Sequence, residues 1–327
     1  MRKTGWSIFR LFAGIVACAN LPVSDSLAQS YPVKPMRVLV GFTAGSGSDI
    51  AARFVAQKLS ENLGQPVIVE NRPGAGGAIA IERVAASPAD GYTLLFMPAS
   101  GAVPPAQGAK LSYDLERDLA PVSLVLVQPF VLVVHPSVPA RNVKELIALA
   151  QKQPGKLNYG SNGIGSALQF AGELFNIMAK VNIVHVPYKG ASESAIATAA
   201  GQVDMSYPGL GSTLPLLGSG KVRALAVTTA KRSSLIPSVP TLHESGLTGY
   251  DRSGWQGVLA PTGVPKDIIA RLNIVIGKMI NTAESKQWFN TQGFEPQTNT
   301  PEQFSAFIHN EIVQNMKLIK SAGIKIE

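Results

Sequence analysis

A single cysteine, Cys18, stands in 327 residues, so the chain cannot close a disulfide on itself. Charged residues make up only 15%, against 46% hydrophobic ones, a composition that excludes an extended disordered chain and fits packed globular lobes. The four histidines, His135, His185, His243 and His309, lie scattered, with no metal-ligand spacing among them. There is no G-x-S-x-G elbow, which argues against the common hydrolase nucleophile. No Lys/Arg run interleaved with aromatics exists, so nucleic acid is not an expected partner. After the first thirty residues no stretch is long and uncharged enough to span a bilayer, and a soluble mature protein is expected.

The N-terminus reads as an export signal. Arg2, Lys3 and Arg10 precede an apolar run from Leu11 to Ala19, and Ser26-Leu27-Ala28 places small residues at both cleavage-defining positions. Residues 1–28 are therefore expected to be removed. Cys18 ends Ile15-Val16-Ala17-Cys18, which resembles a lipoprotein signal; the competing and preferred reading is cleavage at Ala28, and both imply export. The formal net charge is +8. Loss of the leader removes Arg2, Lys3, Arg10 and Asp25 and leaves a modest positive surplus, which favours anionic ligands.

What is present in quantity is glycine and serine at two special places. VLVGFTAGSGSDIAARF reads as strand, loop at Phe42–Ser48, and helix; LNYGSNGIGSALQFAGELF repeats the pattern with a loop at Ser161–Ser166. Such a unit aims unpaired backbone N–H groups at one point, and the helix N-terminus adds partial positive charge. It is an anion site by construction. The competing reading is two tight turns, in which Asp49 and Ser166 serve as helix N-caps. The first loop also invites a dinucleotide reading, because Gly45-Ser46-Gly47 follows a strand and Glu70 ends the next one. That fingerprint fails at its third glycine, which is Ile50, and no Lys-Ser/Thr pair makes a P-loop; no cofactor is expected.

Around these loops the periodicity alternates. Strands are expected at 36–40, 67–69, 93–97, 157–159, 183–186, 203–207, 222–228 and 255–260, and two more within 122–135, interrupted at Gln128-Pro129. Helices are expected at 49–63, 78–86, 143–151, 166–179, 192–200, 266–281, 285–292 and 301–322, with Phe304, Phe307, Ile308, Ile312 and Ile319 forming one packing face on the last. The reading is α/β, two doubly wound sheets with two crossovers. The first crossover falls at Gln128-Pro129 and the second near Thr229 to Ser234. The expected division is 29–127 plus 231–327 for the first lobe and 128–230 for the second.

The collinear segments YPVKPMRVLVGFTAGSGSD, VENRPGAGGAIA, DGYTLLF, PGKLNYGSNGIGS, HVPYKGA, GQVD, GKVRALAVT, VPTLHESG, GWQGVLAPTGVP and TPEQFSAFI resemble the extracytoplasmic solute receptors of tripartite tricarboxylate transporters, the Bug family. The resemblance runs from Tyr31 to the C-terminus. It implies a type II, Venus-flytrap fold of the periplasmic-binding-protein kind, a monomer in the periplasm, and carriage of a small organic carboxylate to a membrane permease without catalysis. Carried over by position, it implies a ligand site at Phe42, Thr43, Ala44, Gly45, Ser46 and Ser48 with Ser161, Asn162, Gly163, Gly165 and Ser166. Gly76, Gly77, Ser100, Tyr188 and Asp204 form a second tier, Asp204 being equally readable as a structural acid. The chain departs from the family pattern in two places: Thr43-Ala44-Gly45-Ser46 replaces Pro-Ala-Gly-Gly, and Gln169 replaces a helix histidine, both near the expected ligand. An exported enzyme acting on a small acid and a sensory receptor are the alternative functions.

Overall fold

The computed structural model describes residues 31–324. The leader and Cys18 lie outside them. From the N-terminal side, β1 (Met36–Val40), α1 (Gly47–Leu63), β2 (Val67–Asn71), α2 (Ala78–Ala85), β3 (Thr93–Pro98), a short α3 (Val103–Ala106) and β4 (Leu119–Pro129) build most of one lobe. The chain then passes into β5 (Val131–Val134), α4 (Val143–Lys152), β6 (Asn158–Ser161), α5 (Ala167–Ala179), β7 (Val184–Pro187), α6 (Ala191–Ala199), β8 (Met205–Ser206), α7 (Leu210–Gly218) and β9 (Arg223–Val227). It returns through β10 (Ser253–Pro261), α8 (Lys266–Ile280), α9 (Ala283–Thr291), β11 (Glu295–Pro296) and α10 (Pro301–Ala322). The result is a two-lobed α/β protein. One sheet has six strands in the order β11-β4-β10-β3-β1-β2, and the other five, β7-β6-β8-β5-β9.

Why these segments take these forms is local. In α1, Ser46 caps the start, Gly64 closes the end in the left-handed conformation at φ 69°, and Phe54, Val55 and Leu59 are buried between. Ile50, at helical spacing from Phe54, is exposed, and the neighbouring Ala51 and Ala52 lie in the core instead. Phe54 stacks on Trp288 of α9 at 4.0 Å between ring centroids, a pair worth about 0.5–1.5 kcal/mol beyond its burial. The first sheet is covered on both faces. Met36, Val38, Val40, Phe96 and Val258 face α1 and α8, while Leu39, Leu95, Trp255 and Leu259 face Phe304, Ile308 and Ile312 of α10. Residues alternating along each strand thus serve two cores, as a doubly covered sheet requires.

Two sequence expectations need correction. The helix α7 is not among the helices expected from the sequence, where Gly209, Gly211 and Pro215 interrupt any period; Ser212 Oγ and Thr213 Oγ1 both donate to Gly209 O and hold its first turn. The chain also returns later than Thr229–Ser234. Leu235, Ile236 and Val239 pack with Val131 and Val227, and Leu242, Leu247 and Tyr250 lie in the second core. The Tyr250 hydroxyl donates to Ala171 O at 2.6 Å. The segment has neither helical nor strand period, so its attachment to the second core left no pattern to read. The crossing falls at 251–253.

Register decides where the loops point. Ser253 of β10 lies opposite Pro129 of β4, so the junction between lobes sits at this end of the first sheet. β3 runs antiparallel to β10 with Pro98 opposite Gln256, and β1 and β2 run with β3. The carboxyl ends of β1, β2 and β3 therefore all face the junction. In the second sheet β5 leaves the junction at Val131, β8 runs against it, and β6 and β7 run with β8. Their carboxyl ends return to the same place. The two glycine/serine loops follow β1 and β6, so both open into the space between the lobes, where open α/β sheets carry their ligands. Beside that space, Phe170 of α5 packs directly on Val103 and Leu318 of the other lobe.

Candidate functional site

The two loops share one construction. Gly45 and Gly165 adopt φ 80° and 74°, a region open to glycine and strained for other residues. The next residue, Ser46 or Ser166, is the helix N-cap, and its Oγ accepts from the N–H three residues on, Asp49 or Gln169, at 3.2 Å in both loops. The side chain of that third residue reaches back. Asp49 Oδ2 accepts from Gly45 N at 2.9 Å, and Gln169 Oε1 accepts from Gly165 N at 2.7 Å. The signature Gly-Ser-x-x-Asp/Gln thus fixes each loop by a reciprocal pair, a capping box displaced by one residue. Asp49 is a brace, not the N-cap that the tight-turn reading makes it; Ser166 is the N-cap, as in that reading.

Bracing consumes some donors and leaves others. In the first loop the N–H groups of Thr43, Ala44, Gly47 and Ser48 bond to none of the described residues. In the second, the same holds for Asn162, Ile164, Ala167 and Leu168. Thr43, Ala44, Gly45 and Asn162 are exposed, and Phe42, Ser46, Ser48, Gly163, Gly165 and Ser166 are half-buried. Each loop therefore presents free amides at a helix N-terminus, on a turn held by its own side chains.

The braces differ in charge. Asp49 is 2% exposed. Burial alone would raise its pKa, but hydrogen bonds from Arg53, Gly45 N and Asn71 outweigh burial and hold the carboxyl below its ordinary range. Arg53 Nε sits at 2.9 Å and Asn71 Nδ2 at 2.8 Å, and Asn71 Nδ2 also donates to Phe42 O. The counterpart in the second lobe, Gln169, is neutral and needs no cation. There His185 completes the support: its Nε2 lies 2.6 Å from Ser161 Oγ, and Ser161 Oγ also accepts from Gly163 N. Burial pushes the His185 pKa below 6.5, which keeps the ring neutral at neutral pH.

The second-tier residues divide. Gly76 and Gly77 have φ of 65° and 103°, and a Cβ on Gly41, at the end of β1, would lie 2.5 Å from Gly77 Cα. Their turn is thus pressed against the base of the first loop. Ser100 follows β3 at the junction end, and its Oγ is buried with no hydrogen-bond partner. Tyr188 follows β7; its N–H donates to Ser161 O, and its ring would lie 3.3 Å from a Cβ on Gly160. Asp204 belongs elsewhere. Its Oδ2 accepts from Asn158 N at 2.8 Å and its N–H donates to Asn158 Oδ1 at 3.0 Å, at the start of β6 and the end of the sheet away from the junction. It is the structural acid of the two readings.

Arg53, Asn71 and His185 escaped the sequence reading. The reciprocal signature at 45–49 and 165–169 is the signal that was available; the long-range partners Asn71 and His185 leave none. A groove of ≈ 470 Å³ lies elsewhere, between α5, α10 and the crossing at 249–253. Its buried guanidinium, Arg252, is already engaged by Glu311 and Asn315.

Residues 51–324 match the model of the tripartite tricarboxylate transporter family receptor. The chain is 36% identical to Protein BugT of Bordetella pertussis over 98% of its own length and 97% of the relative's. An R. palustris protein solved with adipate is 34% identical, with a TM-score of 0.75 over 90% of this chain and 99% of that one. MatC from Rhodopseudomonas palustris, solved with bound malate, is 29% identical, with a TM-score of 0.72 over 88% and 100%. The chain belongs to the tripartite tricarboxylate transporter receptor family, whose members are periplasmic solute receptors.

Proposed function

We propose that this family member is exported on the leader 1–28, captures a small organic carboxylate between its lobes, and delivers it to a membrane permease. The observation that carries the reading is the pair of matched Gly-Ser-x-x-Asp/Gln loops, each with free helix N-terminal amides, opening on one interlobe space. Solved neighbours holding adipate and malate support the ligand class. Among the described residues no helix is long and apolar enough to cross a membrane.

The mechanism follows from the donors. Backbone amides and serine hydroxyls bind an anion without burying a cation, which would be costly whenever the site is empty. The ligand seats on one loop, and rotation about the strands at 129–131 and 251–253 brings the other onto it. Closure expels water, and each charge-assisted hydrogen bond strengthens as the local dielectric falls. The closed, loaded form is then the shape a permease reads.

The enzyme alternative has one feature in its favour, the Ser161–His185 contact. Ser161 is fully buried and its Oγ is already tied to the Gly163 backbone, while His185 Nδ1 has no orienting partner among the described residues. That geometry supports a loop better than a nucleophile. The test is thermal unfolding of the mature protein against organic acids and their neutral amides. A ligand at a hundred times its Kd stabilises by about 2.7 kcal/mol, a shift of several degrees. One class of acid should raise Tm while its amides do not. Equal shifts with the amides, or turnover of the bound acid, would refute the reading.

A further inference from the structure

The loops account for donors only; one buried acceptor at the same place has no use yet. Gln256 lies on β10, is 6% exposed, and its Oε1 has no hydrogen-bond partner. Buried polar atoms of this kind are rare and need a reason. The face it occupies is fixed by register. Its cross-strand partners are Pro98 and Leu126. Leu126 belongs to the core beneath α1, whereas the preceding Trp255 belongs to the opposite core beneath α10. Gln256 therefore sits on the α1 side, level with the end of β3, where the first loop opens. Phe42 and Phe294 border this corner of the same core, and the Phe294 ring would lie 3.9 Å from a Cβ on Gly47. A second orphan, Ser100 Oγ, follows β3 at the same end, in a turn packed on β10.

We propose that Gln256 is a specificity-determining residue of the carboxylate site, whose amide oxygen receives a hydrogen-bond donor carried by the ligand beside its carboxylate. The preferred ligands are then 2-hydroxy or 2-amino acids, ahead of the corresponding plain acids. The inference rests on the receptor reading above. Its logic is complementarity. The loop amides satisfy the carboxylate, and Gln256 supplies the acceptor that amides cannot. A plain acid closes the cleft over an unpaired amide oxygen, and sites built to bond a ligand hydroxyl penalise the analogue that lacks it.

The experiment is calorimetric titration of the mature protein with matched pairs, 2-hydroxysuccinate against succinate and 2-hydroxybutyrate against butyrate. The same titrations are run on Gln256→Met, which keeps length and volume and removes the acceptor. For the pair that binds, the wild type should favour the hydroxy acid by roughly ten- to a hundred-fold. In Gln256→Met the preference should fall to about two-fold or less, because the hydroxy acid loses its hydrogen bond and the plain acid no longer buries an unpaired amide oxygen. Equal affinities in the wild type overturn the inference while the receptor reading stands, and so does a preference that survives in Gln256→Met. Failure of every carboxylate to bind would overturn the receptor reading, and this inference with it.

Discussion

Ser46→Asp and Ser166→Asp separate the structural role of the two loops from their binding role. Each serine is an N-cap, and aspartate caps a helix about as well as serine. Its charge also suits the helix N-terminus, by about 0.3–1 kcal/mol. Near Ser46 the existing Asp49 carboxylate opposes a second charge, but Arg53 at 2.9 Å from Asp49 offsets much of it. Folding stability should therefore change by less than about 1 kcal/mol in either variant. Binding should not survive. A new carboxylate about 5 Å from a bound one, at an effective dielectric of about 20, costs about 3 kcal/mol, or about two orders of magnitude in Kd. Ser46→Asn and Ser166→Asn keep the cap and the size without the charge. Urea unfolding measures stability, and calorimetric titration with an acid that raises Tm measures binding. The expected result is near-native stability in all four variants, with weakened binding in the two aspartates alone. Aspartate variants that bind like their asparagine controls would refute the placement of the anion at these helix ends.

Removal of either brace should loosen its loop. Asp49→Ala should cost about 1–2 kcal/mol, since exposed Gly45 and half-exposed Arg53 rehydrate and only Asn71 loses a buried partner; Gln169→Ala should cost no more, and both should weaken acid binding in titrations. His185 carries a pH signature. Its pKa is held by burial below 6.5, so the unfolded chain binds the proton more readily; the stability gained from a neutral His185 is present above about pH 6.5 and is lost as pH falls below it. The drop in Tm between pH 7 and 5 should be shallower in His185→Gln. Gly293→Ala should be destabilising by about 1–3 kcal/mol in urea, because φ is 73° and its Cβ would lie 2.1 Å from Gly211 N across the lobes.

Elements with strong local pattern were legible in the sequence. The run Met36–Val40 between turn residues, the Gly64 stop after α1 and the stripe Phe304-Ile308-Ile312 all sit where their periodicity places them. Positions set by distant partners were not. Asp49 reads as a cap because Asp is a good one, yet Ser46 takes the cap and Asn71, from the neighbouring strand, draws Asp49 under the loop. Asp204 shares a sheet with the second loop, and only strand direction shows that it lies at the opposite end. The segment 235–250 follows the second core through isolated apolar anchors such as Leu242 and Tyr250, which no periodic pattern announces. Local chemistry thus gave the loops, whereas their braces and the acceptor Gln256 depend on register between strands far apart in sequence.

Capture between the lobes requires a carboxylate seated on the free amides of both loops at once. Its most direct measurement is the amide proton chemical shift of each residue during titration of the mature, isotope-labelled protein with an acid that raises Tm. Large downfield shifts are expected at amides among Thr43, Ala44, Gly47 and Ser48, and also among Asn162, Ile164, Ala167 and Leu168, saturating with one Kd. Shifts confined to one loop, or centred on the groove between α5 and α10, would contradict it.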